Sequence, residues 1–173
     1  LAQAEQGHRE AVAVVGVSLH LPGGVADLDS YWALLREGRS GVIEVEPERW
    51  SNRRFVDPDY AAVGKLVTPY AGLLERIYDF DADFSGLSAL EAENLDPQQR
   101  LLLEQSWLAL EDAGYDIGRL RGSDTGVVVG IGSQDHGMAL LADPAHANPY
   151  VASGNSFSMA AGRLSYFYDF IGP

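Results

Sequence analysis

Residues 96–114, Asp-Pro-Gln-Gln-Arg-Leu-Leu-Leu-Glu-Gln-Ser-Trp-Leu-Ala-Leu-Glu-Asp-Ala-Gly, constrain the fold more than any other stretch, because both ends of a helix are written into them. Asp96 can cap the first turn, and Pro97 stands at the first helical position, where its missing N–H is no loss. Gln99 lies three residues after the cap, the spacing of a capping box. Gly114 can take the left-handed conformation that ends a helix. Leu103, Trp107 and Leu110 share one face. The stretch predicts a buried helix.

The remaining segments fall around it. Residues 1–10 read as a linker or frayed end. Ala11–Val17 is a short β-branched run and reads as a buried strand. Leu21-Pro22-Gly23-Gly24 breaks it, Asp27 caps a helix carrying Leu28, Tyr31, Trp32 and Leu35, and Gly38 closes that helix. Residues 39–70 show little periodicity and read as a long ordered excursion. A short strand is expected at Ala71–Leu74, and a second capping-box pattern, Ser88 with Glu91, starts a short helix ending near Asn94. Thr125–Ile131 reads as another strand. Residues 133–155 read as loop with a short helix near His136–Leu141, and residues 156–168 as a helix. Strands alternating with helices indicate an α/β layered fold with a largely parallel or mixed sheet.

Composition excludes several classes. The chain has 173 residues, 46 % of them hydrophobic, enough for a sizeable core. The net charge of −13 argues against nucleic-acid or anionic-membrane partners. With no cysteine there are no disulfides, thiolate metal sites or cysteine nucleophile in these residues. No apolar run approaches the ~20 residues of a membrane span, and Leu1–Glu10 lacks an apolar signal core. The simplest expectation is a cytoplasmic protein that could lie within a longer polypeptide.

Gly130-Ile131-Gly132-Ser133-Gln134-Asp135 looks like a phosphate loop, but Asp135 stands where a dinucleotide fingerprint needs glycine, and no Gly-Lys-Ser/Thr follows. His8, His20, His136 and His146 form no helical metal pair. His136 lies just past an expected strand end, where α/β proteins place functional groups. No serine sits in a nucleophile elbow. Ser153-Gly154-Asn155-Ser156 reads as a turn and helix cap. Glu104 is placed to pair with Arg100. Ser158, Ala161, Gly162 and Ser165 make one side of the last helix narrow enough for close packing.

Several stretches together resemble one family. They are Val14-Val15-Gly16 with Pro22-Gly23-Gly24, Tyr31-Trp32 with Leu34-Leu35, Glu48-Arg49-Trp50, Phe84-Ser85-Gly86-Leu87-Ser88, Asp96 to Glu104, Leu110 to Gly114, Thr125-Gly126-Val127 and Ala161-Gly162-Arg163-Leu164-Ser165-Tyr166. In this order they are similar to the N-terminal part of a β-ketoacyl synthase (ketosynthase) domain of modular polyketide synthases. The Phe-Ser-Gly-Leu-Ser-Ala segment departs slightly from the family's usual Phe-Phe-Gly-Ile-Ser-Pro.

The resemblance implies a thiolase-like α/β fold layered αβαβα, with residues 11–173 as its first portion. It also implies decarboxylative Claisen condensation. A cysteine would take the acyl chain from an acyl carrier protein, and two histidines would assist decarboxylation of a malonyl-type extender. No cofactor would be bound directly; substrates would ride on the carrier's phosphopantetheine. The implied partners are the rest of the domain, a homodimer partner, the carrier protein and a neighbouring acyltransferase domain.

The family's cysteine follows a Gly-Pro like Gly172-Pro173 and its histidines come later still, so no catalytic residue is carried over and these residues alone are expected to be inactive. Met138, Asn155 and Phe157 are the substrate-binding candidates, as acyl-tunnel or dimer-interface positions by the same resemblance. A condensation-incompetent scaffold, or a decarboxylase-only variant, is the alternative. A nucleotide-binding domain is a distant third.

Overall fold

The computed structural model describes residues 11–173, so the segment expected as a linker, 1–10, lies outside it. Eight α-helices and two short strands occur among the described residues: α1 (Leu28–Arg36), β1 (Val42–Glu44), α2 (Asn52–Phe55), β2 (Tyr70–Gly72), α3 (Ala89–Asn94), α4 (Pro97–Asp112), α5 (Ile117–Leu120), α6 (Asp135–Leu141), α7 (Pro149–Asn155) and α8 (Phe157–Tyr168).

The helix ends follow side-chain chemistry. Asp27 caps α1 in a full capping box, its carboxylate accepting from the Ser30 N–H while the Ser30 hydroxyl accepts from the Asp27 N–H. Ser88 caps α3 through the Glu91 N–H. Asp96 caps α4, accepting from the Gln98 N–H at 2.8 Å. Gly38 and Gly114 both take positive φ just past their helices, as expected.

Gln99 does not close the expected capping box. Its side chain is buried and reaches α7 and α8 instead, while the neighbouring Gln98 amide contacts the Asp96 carboxylate. Tertiary hydrogen bonds that satisfy both ends of a buried amide, Nε2 to the Gly154 carbonyl and Oε1 from Arg163, outcompete the local cap. Arg100 does not pair with Glu104 either. Its guanidinium turns back to donate to the carbonyls of Leu95, Tyr78 and Glu93, sealing the α3–α4 corner.

The core sits between α4 and α8. Leu95, Leu103, Leu164 and Tyr168 are buried together, with Phe80, Trp107, Leu110 and Phe170 packed around them. Trp107 stacks on Tyr168 at 6.4 Å and Tyr168 on Phe170 at 5.1 Å. The Tyr168 hydroxyl is satisfied by Ser106 at 2.9 Å.

The two long apolar runs differ from expectation. Ala11–Val17 and Thr125–Ile131 form no strand ladder among the described residues, and the one sheet there is the antiparallel pair β1–β2, with Ile43 opposite Ala71. A strand needs a neighbour for its N–H and C=O groups, and propensity does not supply one. The placement nevertheless suits strands laid on helices. Residues 125–131 alternate between half-buried and exposed, the period of a strand. Val15, Gly16 and residues 125–130 line one groove with Ala109 of α4 and Ala113 at its C-cap. A Cβ on Gly16 would stand 2.2 Å from the Ala109 carbonyl oxygen, so only glycine permits that approach.

The segment 149–155, read as loop and turn, is helix α7. Asn148 caps it through the Tyr150 N–H and Pro149 takes the first position, repeating the Asp96-Pro97 grammar of α4. Ser153 and Asn155 therefore lie inside a helix. Ser156 occupies the N-cap position of α8 without a side-chain capping bond.

Candidate functional site at the seam of α6, α7 and the α3–α4 corner

Helix α7 is held between two neighbours by backbone approach. On one side, the Gly154 carbonyl accepts from the Asp96 N–H at 3.0 Å and from Gln99 Nε2 at 2.9 Å. A Cβ on Gly154 would stand 2.8 Å from the Asn94 carbonyl oxygen. On the other side, a Cβ on Gly137 of α6 would stand 2.9 Å from the Asn155 Cβ. Both contacts are closer than a real Cβ can come.

Asn155 joins the two sides. It is buried, and its Nδ2 donates to the carbonyls of Asn94 at 2.9 Å and Val151 at 2.8 Å. Its Oδ1 is buried with no partner among the described residues. Asn148 Nδ2 donates to Asn94 Oδ1 at 3.0 Å, so three asparagines link α3 to both ends of α7.

A second polar line runs from α4 to α8. Arg163 donates from Nε to Gln99 Oε1 at 3.0 Å and from Nη1 to Glu91 at 2.8 Å. This ion pair is largely covered, with side-chain exposures of 12 % and 23 %. Glu91 is thereby drawn away from the reciprocal bond of its own capping box. Sequence reasoning gave Glu91 to the capping box at Ser88 and Gln99 to the one at Asp96. The signal that could have revealed this network is the buried-face position of two polar residues, Gln99 and Arg163, on apolar helices.

Met138 and Asn155, two of the residues singled out from sequence, line a single cavity of about 370 Å³ with Gln134, Leu141, Val151 and Ser156. Phe157 opens α8 and is not on that wall. His136 sits at the start of α6 with Nε2 buried and without a hydrogen-bond partner among the described residues. Burial is the main cause that holds its pKa below the ordinary 6.5; Arg100 acts the same way, while Asp96 and Asp135 oppose. Asp135 is in turn held down mainly by a hydrogen bond from Ser133. Among the described residues no group of three or more His, Asp or Glu side chains could hold a metal ion, and no helix is long and apolar enough to cross a membrane.

The family model described as "Beta-ketoacyl synthase, N-terminal domain" matches residues 9–173. The chain belongs to the β-ketoacyl synthase family. This β-ketoacyl synthase chain is 39 % identical over 164 residues to a phenolphthiocerol/phthiocerol polyketide synthase of Mycobacterium tuberculosis, covering 95 % of the chain and 9 % of that relative. It is 42 % identical over 162 residues to the phthioceranic/hydroxyphthioceranic acid synthase of the same organism, covering 94 % and 8 %.

Among solved structures, it superposes on the ketosynthase from module 6 of the bacillaene synthase of Bacillus subtilis with a TM-score of 0.79 at 33 % identity, covering 95 % of the chain and 25 % of that structure. It superposes on an oxazolomycin ketosynthase domain of Streptomyces albus with a TM-score of 0.75 at 38 % identity, covering 95 % and 28 %. The chain thus has the mixed α/β architecture of the N-terminal part of a thiolase-like ketosynthase. It spans less than a tenth of the length of these curated relatives and about a quarter of the solved ketosynthase chains.

Proposed function

We propose that this chain is the N-terminal part of a polyketide-synthase ketosynthase that catalyses decarboxylative Claisen condensation. The observation that carries the proposal is the agreement of sequence and fold with polyketide ketosynthases over nearly the whole chain. In that reaction a cysteine thiolate takes an acyl group from the phosphopantetheine thiol of an acyl carrier protein. A malonyl-type extender loses carbon dioxide, and its enolate attacks the acyl carbonyl, releasing the thiolate. This chain contains no cysteine, so the nucleophile belongs to other residues of the intact domain. The partners are that remainder, a second copy of the domain, the carrier protein and a neighbouring acyltransferase domain; the setting is the cytoplasm.

The role of residues 11–173 is to frame the site. We assign the α6–α7 cavity to the acyl path or the dimer interface beside it, with Met138 and Asn155 on its wall; Phe157, next in sequence to the lining residue Ser156, is assigned to the same region by resemblance alone. The supporting observation is a mostly apolar cavity with a few polar side chains, Gln134, Asn148 and Asn155 among them, whose frame is fixed by glycine contacts on both faces of α7.

The test is turnover by the intact ketosynthase-containing protein, given an acyl thioester and a malonyl-loaded carrier protein, with products read by mass spectrometry. A β-ketoacyl carrier protein confirms condensation. Acetyl-carrier protein alone identifies a decarboxylase, and no turnover supports the scaffold reading. Met138→Trp is expected to slow long acyl donors more than short ones; an equal effect on both would remove Met138 from the acyl path.

A further inference from the structure

A separate cavity of about 250 Å³ opens between α4, α8 and the turn at residues 80–85, on a different part of α4 from the seam. Its walls are aromatic. Phe84 meets Trp107 nearly at right angles, with ring centroids 4.7 Å apart, and Phe167 stands 6.2 Å from Trp107. Phe80 completes the apolar lining, and Phe84 is more than half exposed.

Set into these walls is a carboxylate, Glu104, with Asp81 at the same cavity. Among the described residues no cation stands within ion-pair distance of Glu104 or Asp81, although the chain makes such pairs elsewhere. One Asp81 oxygen accepts from the Phe84 N–H, while Glu104 has no hydrogen-bond donor there. Burial is the first cause raising the Glu104 pKa; Asp79 adds to it and His20 opposes. A half-buried carboxylate in a cavity that aromatic side chains also line is an arrangement that a cation stabilises by charge and by the ring quadrupole together.

We propose that this cavity is a docking site for an arginine side chain presented by a partner segment, its guanidinium lying between the aromatic walls and Glu104. The size favours a side chain over a cofactor, since the cavity falls below the roughly 300 Å³ at which small-molecule pockets begin. A planar guanidinium can stack on a ring and still meet a carboxylate with its in-plane N–H groups; an ammonium cannot do both as well. The site is independent of the condensation chemistry proposed above.

The test follows the indole N–H resonance of Trp107, assigned with Trp107→Phe, while the protein is titrated with ethylguanidinium at constant ionic strength. N-ethylurea serves as the neutral control of similar shape. A saturable shift is expected with ethylguanidinium and not with ethylurea, and Glu104→Gln should weaken it at least threefold with the other indole resonances in place. A response to ethylurea equal to that to ethylguanidinium would make the cavity merely apolar and overturn the proposal. So would an unchanged response in Glu104→Gln. No saturable shift in the wild type would also refute it, including the case of a cavity already filled by the protein's own chain.

Discussion

Gly154→Ala separates local from tertiary control of α7 with opposite signs. Gly154 is in the last turn of a helix, and alanine there would favour the helix by about 1 kcal/mol if propensity decided the outcome. The structure gives the reverse. The new Cβ would meet the Asn94 carbonyl oxygen at 2.8 Å and the Leu95 Cα at 3.1 Å, both backbone atoms that cannot rotate away. Relief requires α7 to move off the α3–α4 corner. That movement breaks the bonds from the Asp96 N–H and Gln99 Nε2 to the Gly154 carbonyl, and from Asn155 Nδ2 to the Asn94 carbonyl. Three buried hydrogen bonds at about 1 kcal/mol each outweigh the propensity gain, so a net loss of roughly 2 kcal/mol is expected. Chemical denaturation of the intact protein, with hydrogen exchange at the Asp96 amide as a local readout, measures it. A neutral or stabilised Gly154→Ala with unchanged exchange would refute the claim that backbone contact holds this seam.

Other substitutions probe the remaining features. Asp169 ends α8 at φ 58°, a left-handed conformation; Asp169→Gly should stabilise by about 1 kcal/mol, read as a higher denaturation midpoint, and no gain would mean the aspartate side chain compensates. Arg163→Ala strands the covered Glu91 carboxylate and should lose roughly 3 kcal/mol, while a Glu91→Gln, Arg163→Ala double cycle should show coupling of about 1 kcal/mol or more. His136 has its folded pKa below 6.5, so the unfolded chain binds the proton more tightly; its contribution to stability is full above 6.5 and is lost as pH falls. Denaturation midpoints between pH 7 and 5 should therefore drop less in His136→Gln than in the wild type, and equal slopes would assign the acid sensitivity to other groups.

The helix ends were legible because capping is decided within four residues. Asp27, Ser88 and Asp96 each cap as their spacing predicts, and Gly38 and Gly114 close helices as written. The same grammar stood at Asn148-Pro149, and reading it there would have recovered α7. What the sequence concealed is non-local. Gln99 had two candidate duties, and only the approach of Gly154 from 55 residues away decides between them. The runs at 11–17 and 125–131 carry strand composition, yet a ladder depends on a neighbour that composition cannot specify. Met138 and Asn155 were placed near one another by resemblance; the contact that brings their helices together is the glycine at 137, which periodicity treats as a mere weak point.

The two glycine contacts on α7 also bear on how this region can vary. Gly154 meets main chain at the α3–α4 corner and Gly137 meets the Asn155 side chain, so the distance from α6 to that corner rests on these two glycines and Asn155 rather than on Met138 or Leu141. Met138 and Leu141 project from that frame with about two-thirds of their surface free. Changes at those two positions can therefore reshape the cavity wall while the scaffold keeps its dimensions, so the cavity's shape can drift by single substitutions without the stability loss that repacking a side-chain-filled interface would bring.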